Sequence, residues 1–150
     1  MSYQRDCPDG VRVGVVGVGL HCYRNVLPVL NFLPVQRQAV CDLDNELAAA
    51  TAAQYGVAGY TSAPEMFREV ELDAVILCAP PEQHASLAVQ AFDAGLYVFE
   101  KRSALGVSGV CDMLRARGDR RCVVGYKKMF MPAARKVREI LDAHGGRAAA

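Results

Sequence analysis

Neither sign of charge dominates this chain of 150 residues: 17 Lys and Arg stand against 16 Asp and Glu, a formal net charge of +1. That balance removes the electrostatic reason to expect nucleic acid or an anionic membrane as a partner. No run of about 18 apolar residues occurs, so no membrane span is expected. The opening MSYQRDCPDG has no basic segment leading into an apolar one, so no signal peptide is expected. Linker-like shifts in composition, low-complexity tracts and solenoid-length repeats are also lacking. What remains is one domain, long enough to bury a proper core and too short for two.

The six cysteines contain no C-x-x-C pair and no nearby His cluster, which argues against a disulfide framework and a zinc site. Cys41, Cys78 and Cys122 fall in apolar strand-like runs, and Cys22 and Cys111 in helix-like ones. A buried free cysteine behaves as a small hydrophobe. The expectation is reduced, structural thiols in a cytoplasmic protein.

What is present is a regular alternation. Apolar runs at 11–16, 38–42, 73–79, 96–99 and 122–126, with a weaker one near Tyr60, read as strands. Helical spacing predicts helices over 21–32, 45–55, 81–95, 106–117 and 132–144, the first bent or ended early by Pro28. Ser62 and Glu65 predict a capping box opening a short helix. Strands that are apolar throughout, separated by helices, imply a doubly wound parallel α/β sheet covered on both faces, a Rossmann fold. Ligands of such sheets bind at the carboxyl ends of the strands.

Between the first strand and the first helix stands Gly17-Val18-Gly19-Leu20-His21-Cys22, a G-x-G-x-x-C where the dinucleotide fingerprint has Gly or Ala last. Gly17 permits the tight turn, Gly19 lets the backbone approach a pyrophosphate, and the helix start supplies free N–H groups. Asp42 ends the second strand at the spacing at which the fingerprint places its acid. A carboxylate there accepts ribose hydroxyls and repels a 2′-phosphate, and Leu43 offers no cation, so NAD is favoured over NADP. The other reading of Asp42 is a cap on the turn before Asp44. His21 either donates to a phosphate or packs as an ordinary partly buried histidine. The fifth strand raises a further question, because it stops on Glu100-Lys101, an acid and a base side by side.

The segments VGVVGVGLH, VCDLD, DAVILCAPPEQH, AGLYVFEK and VVGYKKMFMP occur in the order seen in the N-terminal half of the Gfo/Idh/MocA oxidoreductases, and the chain resembles that family from about residue 11 onwards. The resemblance implies an NAD(P)-dependent enzyme moving a hydride between nicotinamide and a sugar, cyclitol or similar polyol or carbonyl compound. Glu100-Lys101 matches the start of the family's Glu-Lys-Pro motif beside the nicotinamide. Lys101 is thereby implied as the catalytic residue facing the substrate oxygen. Ala79, Pro80 and Pro81 are implied to line the nicotinamide side of the cleft, with His84 in a structural hydrogen bond. Lys127 falls where the family has a polar residue near the active site, and Lys128 at the next, basic position; rim solvation explains both equally well. An S-adenosylmethionine-binding relative would share the turn and the acid, but not the ordered later motifs.

Three departures stand out. Arg102 replaces the motif proline, Met129 stands where the family often has Arg, and the family's C-terminal α/β domain, with its oligomer and substrate contacts, is expected to be missing after Ala150. The expected layout is a tail over 1–10, a dinucleotide-binding domain over 11–145, and an entry into the missing domain over 146–150. Any homo-oligomer is expected to need that domain, and the chain alone is expected to be inactive. Arg102 and the absent domain point instead to a non-enzymatic NAD(P)-binding sensor or accessory module; the retained Glu-Lys pair points to an enzyme.

Overall fold

The computed structural model describes residues 9–101 and 106–144. Most of the expected N-terminal tail, Arg102 and the segment 146–150 lie outside the described residues. The first crossover runs from β1 (Val11–Val16) through α1 (Leu20–Asn25) and α2 (Leu27–Leu30) to β2 (Val35–Cys41). Next come α3 (Asn45–Tyr55), β3 (Ala58–Tyr60), α4 (Ala63–Glu69), β4 (Ala74–Leu77) and α5 (Pro81–Asp93). The chain continues through β5 (Tyr97–Glu100), α6 (Val107–Ala116), β6 (Cys122–Val124), a 3-10 turn (Lys127–Phe130) and α7 (Pro132–Ala143). Every strand pair is parallel, and the order in the six-stranded sheet is β3-β2-β1-β4-β5-β6. The order reverses between β1 and β4, which opens a crevice at their carboxyl ends.

Burial on both faces explains the apolar strands. Successive residues of one strand point to opposite sides, and Val15, Val40 and Ile76 enter the cluster under α1 to α3. Their neighbours Val16, Cys41 and Leu77 enter the cluster under α4 and α5. Each fully buried side chain of this kind contributes about 1.5–3 kcal/mol relative to exposure.

Four features differ from the sequence reading. The first helix breaks at Val26, and Pro28 then sits in the first turn of the next one, where its missing N–H costs nothing. β2 starts at Val35 because Gln36 and Arg37 pair with β1 through their main chains; Arg37 donates to the Leu27 carbonyl at 2.9 Å and stacks 4.5 Å from the Tyr55 ring. Ser62 does cap α4, but its side chain makes no capping bond, and Pro64 removes one of the amides it would bind. β5 is not buried throughout: Val98 and Glu100 face inward, while Tyr97 and Phe99 are 49% and 38% exposed. The helix after β5 packs beside α5, so among the described residues the other face of β5 and β6 is open. No helix among the described residues is long and apolar enough to cross a membrane.

At the amino ends of the strands, opposite the crevice, Arg12 ties β1 to the start of β4. Asp73 accepts from the Arg12 main-chain N–H at 2.8 Å and from Nε at 3.0 Å, and Glu71 pairs with the same guanidinium. These bonds hold the Asp73 carboxyl at about 2, below its ordinary 3.8. A depressed carboxylate stabilises the fold above its unfolded value and loses that contribution as the pH falls through the folded one. Asp73→Asn should therefore lower the Tm at pH 7 by about 3 °C, a modest effect for a partly exposed pair. The gap to the parent should narrow as denaturation is followed from pH 5 towards pH 2.

Candidate cofactor site at the carboxyl ends of the strands

β1 leaves the sheet through Gly17, whose φ is +84°. A Cβ built there would lie 2.6 Å from the Ala79 nitrogen and 2.8 Å from the Cys78 carbonyl carbon, so conformation and space both exclude a side chain. Gly19 is a different case. It precedes α1 with φ −56° and ψ 173°, and no heavy atom lies within 4 Å of its missing Cβ. The fold does not require glycine at 19; what its absent side chain leaves is open space in front of the turn, room for a ligand to meet the backbone.

Asp42 closes one side of this space. Its Oδ2 accepts from the Val18 N–H at 2.8 Å and its Oδ1 from the Asp44 N–H at 3.1 Å. Asp44 in turn caps α3 by accepting from Leu47 N–H at 3.1 Å. Asp42 thus makes the turn-capping bonds, and of the about four acceptor positions a carboxylate offers the described residues use two.

The opposite side comes from the exits of β4 and β5. Ala79, Pro80 and Pro81 lead into α5, where His84 is 1% exposed. Its Nε2 stands 2.8 Å from the Ala79 carbonyl, which can only accept, so Nε2 carries a proton. Its Nδ1 faces Glu100 Oε2 at 3.4 Å, and Glu100 is also 1% exposed. Glu100 therefore lies beneath the rim, directed at His84, and is not the exposed ion-pair partner that adjacency to Lys101 suggests. Lys101 follows it at the rim, its main-chain N–H donating to the Leu77 carbonyl at 3.1 Å.

Gly17, Gly19, Leu20, His21, Asp42, Ala79, Pro80, Pro81, His84 and Lys101 line one cleft of about 440 Å³. His21 is exposed on the first turn of α1, not partly buried. Lys127 is not in this cleft; with Lys128 it lines an adjoining hollow of about 560 Å³ shared with His21 and Lys101. On the other side of Asp42, a hollow of about 480 Å³ adds Leu43, Ser62, which the sequence gives only as a cap, and Thr61 and Gln83, which the sequence reading did not single out. The signal for Thr61 and Ser62 was their place just past a parallel strand, and β3 was too short and weak to draw attention to it. Gly17→Ala should lower the Tm by roughly 5 °C or more through backbone strain and clash, whereas Gly19→Ala should stay within about 2 °C of the parent in the same thermal melts.

The sequence profile of the Gfo/Idh/MocA family, an oxidoreductase family with an NAD-binding Rossmann fold, matches residues 11–127. Among curated relatives, an inositol 2-dehydrogenase of Saccharopolyspora erythraea is 29% identical over 140 residues, covering 90% of this chain and 41% of its own length. The inositol 2-dehydrogenase of Salmonella typhimurium is 24% identical over 139 residues, again with 41% of its length covered. Among solved structures, a dehydrogenase from Chromobacterium violaceum superposes with TM-score 0.80 at 28% identity, covering 89% of this chain and 40% of its own. The WlbA dehydrogenase of Bordetella pertussis, solved with NADH and UDP-GlcNAcA, superposes with TM-score 0.81 at 20% identity, covering 89% and 42%. The chain thus spans about 41% of the length of the curated relatives it matches. Strand order, glycine turn and profile agree: this chain belongs to the Gfo/Idh/MocA oxidoreductase family and carries its NAD-binding Rossmann domain.

Proposed function

We propose that this domain holds the cofactor of an NAD-dependent dehydrogenase that interconverts a carbinol and a carbonyl on a sugar, cyclitol or related polyol. The inositol dehydrogenases among its relatives support that substrate class. The observation that carries the reading is Asp42, fixed by the amides of Val18 and Asp44 with acceptor positions left over beside the open space at Gly19. NAD, when bound, supplies the acceptor or donor of the hydride.

The chain's own residues hold and orient. Gly17 and Gly19 keep the turn clear for a pyrophosphate, with Leu20 and His21 at its edge, and Asp42 accepts the ribose hydroxyls. Its charge disfavours a 2′-phosphate, and Leu43, 79% exposed, brings no compensating cation. Ala79, Pro80 and Pro81 bound the nicotinamide side. Lys101 presents an ammonium to the substrate oxygen, stabilising a developing alkoxide and passing a proton to or from it. His84 and Glu100 act beneath it as positioning residues that fix the end of β5, and Lys127 belongs to the substrate side. The domain is read as spanning 11–145, with substrate and oligomer contacts completed by a second domain of the family type. The five described cysteines are free thiols, which supports a reducing, cytoplasmic setting. The near-neutral charge supports small-molecule partners over nucleic acid.

Titration with NADH and NADPH, read by nicotinamide fluorescence in a chain without tryptophan, tests the cofactor assignment. Asp42→Ala should weaken NADH about tenfold or more, the worth of a charged hydrogen bond, and change NADPH by less than about threefold. Equal losses would confine Asp42 to the turn. Lys101→Ala in the full-length protein should cut turnover about 10²–10⁴-fold with NADH still bound, checked by steady-state rates on candidate polyols; unchanged turnover would remove Lys101 from the chemistry.

A further inference from the structure

Cys22 occupies the position at which the glycine fingerprint wants its third small residue. It is 2% exposed and packs in the cluster under α1 to α3, and Cys78, one residue beyond β4, packs against the same cluster. The two thiols are close enough to perturb each other's ionisation. Both line the cleft that contains Gly17, Gly19 and Lys101, and Cys78 is only half-buried there. No part of the proposed function uses either sulfur.

The two thiols are not equivalent. The Cys22 proton is held more tightly than usual through its neighbour Cys78, with burial adding to the effect. Cys78 is shifted below its ordinary value by its neighbour Cys22, with help from Lys101 and His84 and against burial. Burial pushes the Cys41 and Cys122 thiols up to about 11. Since the thiolate is the nucleophile, Cys78 is favoured over both, and it lies open to a small reagent.

We propose that Cys22 and Cys78 form an oxidant-reactive dithiol, a modification site for peroxides, whose closure to a disulfide weakens cofactor binding. In the first step the Cys78 thiolate attacks a peroxide oxygen. An S–O bond forms, the O–O bond breaks, and the departing hydroxide takes up a proton, leaving a sulfenic acid on Cys78. In the second step the Cys22 sulfur attacks that sulfur. An S–S bond forms, the S–O bond breaks, and the hydroxyl leaves with the Cys22 proton as water. Overall, hydrogen peroxide is reduced to two waters and the dithiol loses two hydrogens.

Closure acts on the cofactor cleft through distance. A disulfide of about 2 Å is much shorter than the non-bonded contact it replaces, so it draws the first turn of α1 towards the end of β4. Gly17 begins that turn and lies against the end of β4, where an added Cβ would fall 2.8 Å from the Cys78 carbonyl carbon. The turn amides must move with the helix, and displacements of this scale disable positioned sites. The dithiol rests on packing alone, while its effect on NADH rests on the cofactor reading above.

The reduced, purified chain is exposed to a small excess of hydrogen peroxide. It is followed by intact mass, by peptide mapping after alkylation of free thiols, and by NADH titration. The expected result is a Cys22–Cys78 linked peptide pair and an NADH affinity about tenfold lower, both reversed by dithiothreitol. Cys22→Ala, which restores a residue the fingerprint accepts, should stop at a dimedone-trapped sulfenic acid on Cys78, and Cys78→Ser should yield neither product. If both thiols stay alkylated, or the link maps elsewhere, the dithiol is overturned. A Cys22–Cys78 link with unchanged NADH affinity overturns the coupling. A reduced chain that does not bind NADH overturns the cofactor reading and the coupling with it, while the peptide map still decides the dithiol.

Discussion

The contact on which the rest of the structure depends is the close approach of two strand exits, where Gly17 meets the main chain of Cys78 and Ala79 with no space for a side chain. β1 and β4 are neighbours through Val16 and Leu77, and the Cys78 N–H continues their ladder by donating to the Val16 carbonyl at 2.7 Å. On the other flank the Gly17 N–H donates to the Cys41 carbonyl at 2.8 Å, bringing in the end of β2. Three parallel strands thus deliver their carboxyl ends to one point. Every group assigned to the cofactor hangs from one of these exits or from the exit of β5 beside them. A sheet that reversed its order elsewhere would open its crevice elsewhere, away from these residues.

The acid and base that end β5 are separated by depth. Glu100 turns in towards His84 and Lys101 stays at the rim. A buried carboxylate is costly unless compensated, and the group that faces this one is an imidazole locked in orientation by the Ala79 carbonyl. The pairing joins β5 to α5 directly beneath the cleft. Two successive residues of a strand point to opposite faces, so a charged pair in sequence need not be a pair in space.

Much of the architecture was legible because apolar content and turn residues are local signals. The runs 11–16 and 73–79, Gly17 and Gly19, and the acid at 42 placed the central strands and the crevice before any coordinates. β5 was misjudged because apolar composition says that a strand suits a sheet, not which face a later helix covers; Tyr97 and Phe99 stay open although both are apolar-bodied. Ser62 and Glu65 matched a capping pattern that Pro64 partly cancels. The burial of Glu100, the hollow by Thr61 and Gln83, and the meeting of Cys22 with Cys78 are products of strand order. They join residues far apart in the chain, and no spacing rule within one segment can announce them.

Both edges of the sheet are three-residue strands, β3 and β6. So short an edge gives an added strand little to pair with, which protects against growth by edge-to-edge stacking. Among the described residues the face of β5 and β6 has no such protection: Tyr97, Phe99 and Val123 are all more than a third exposed. The colloidal behaviour of the domain is therefore governed by a face and not by an edge. Its self-association should resemble reversible sticking of apolar patches, sensitive to temperature and to kosmotropic salts, and not the seeded, strand-by-strand polymerisation that an open sheet edge invites.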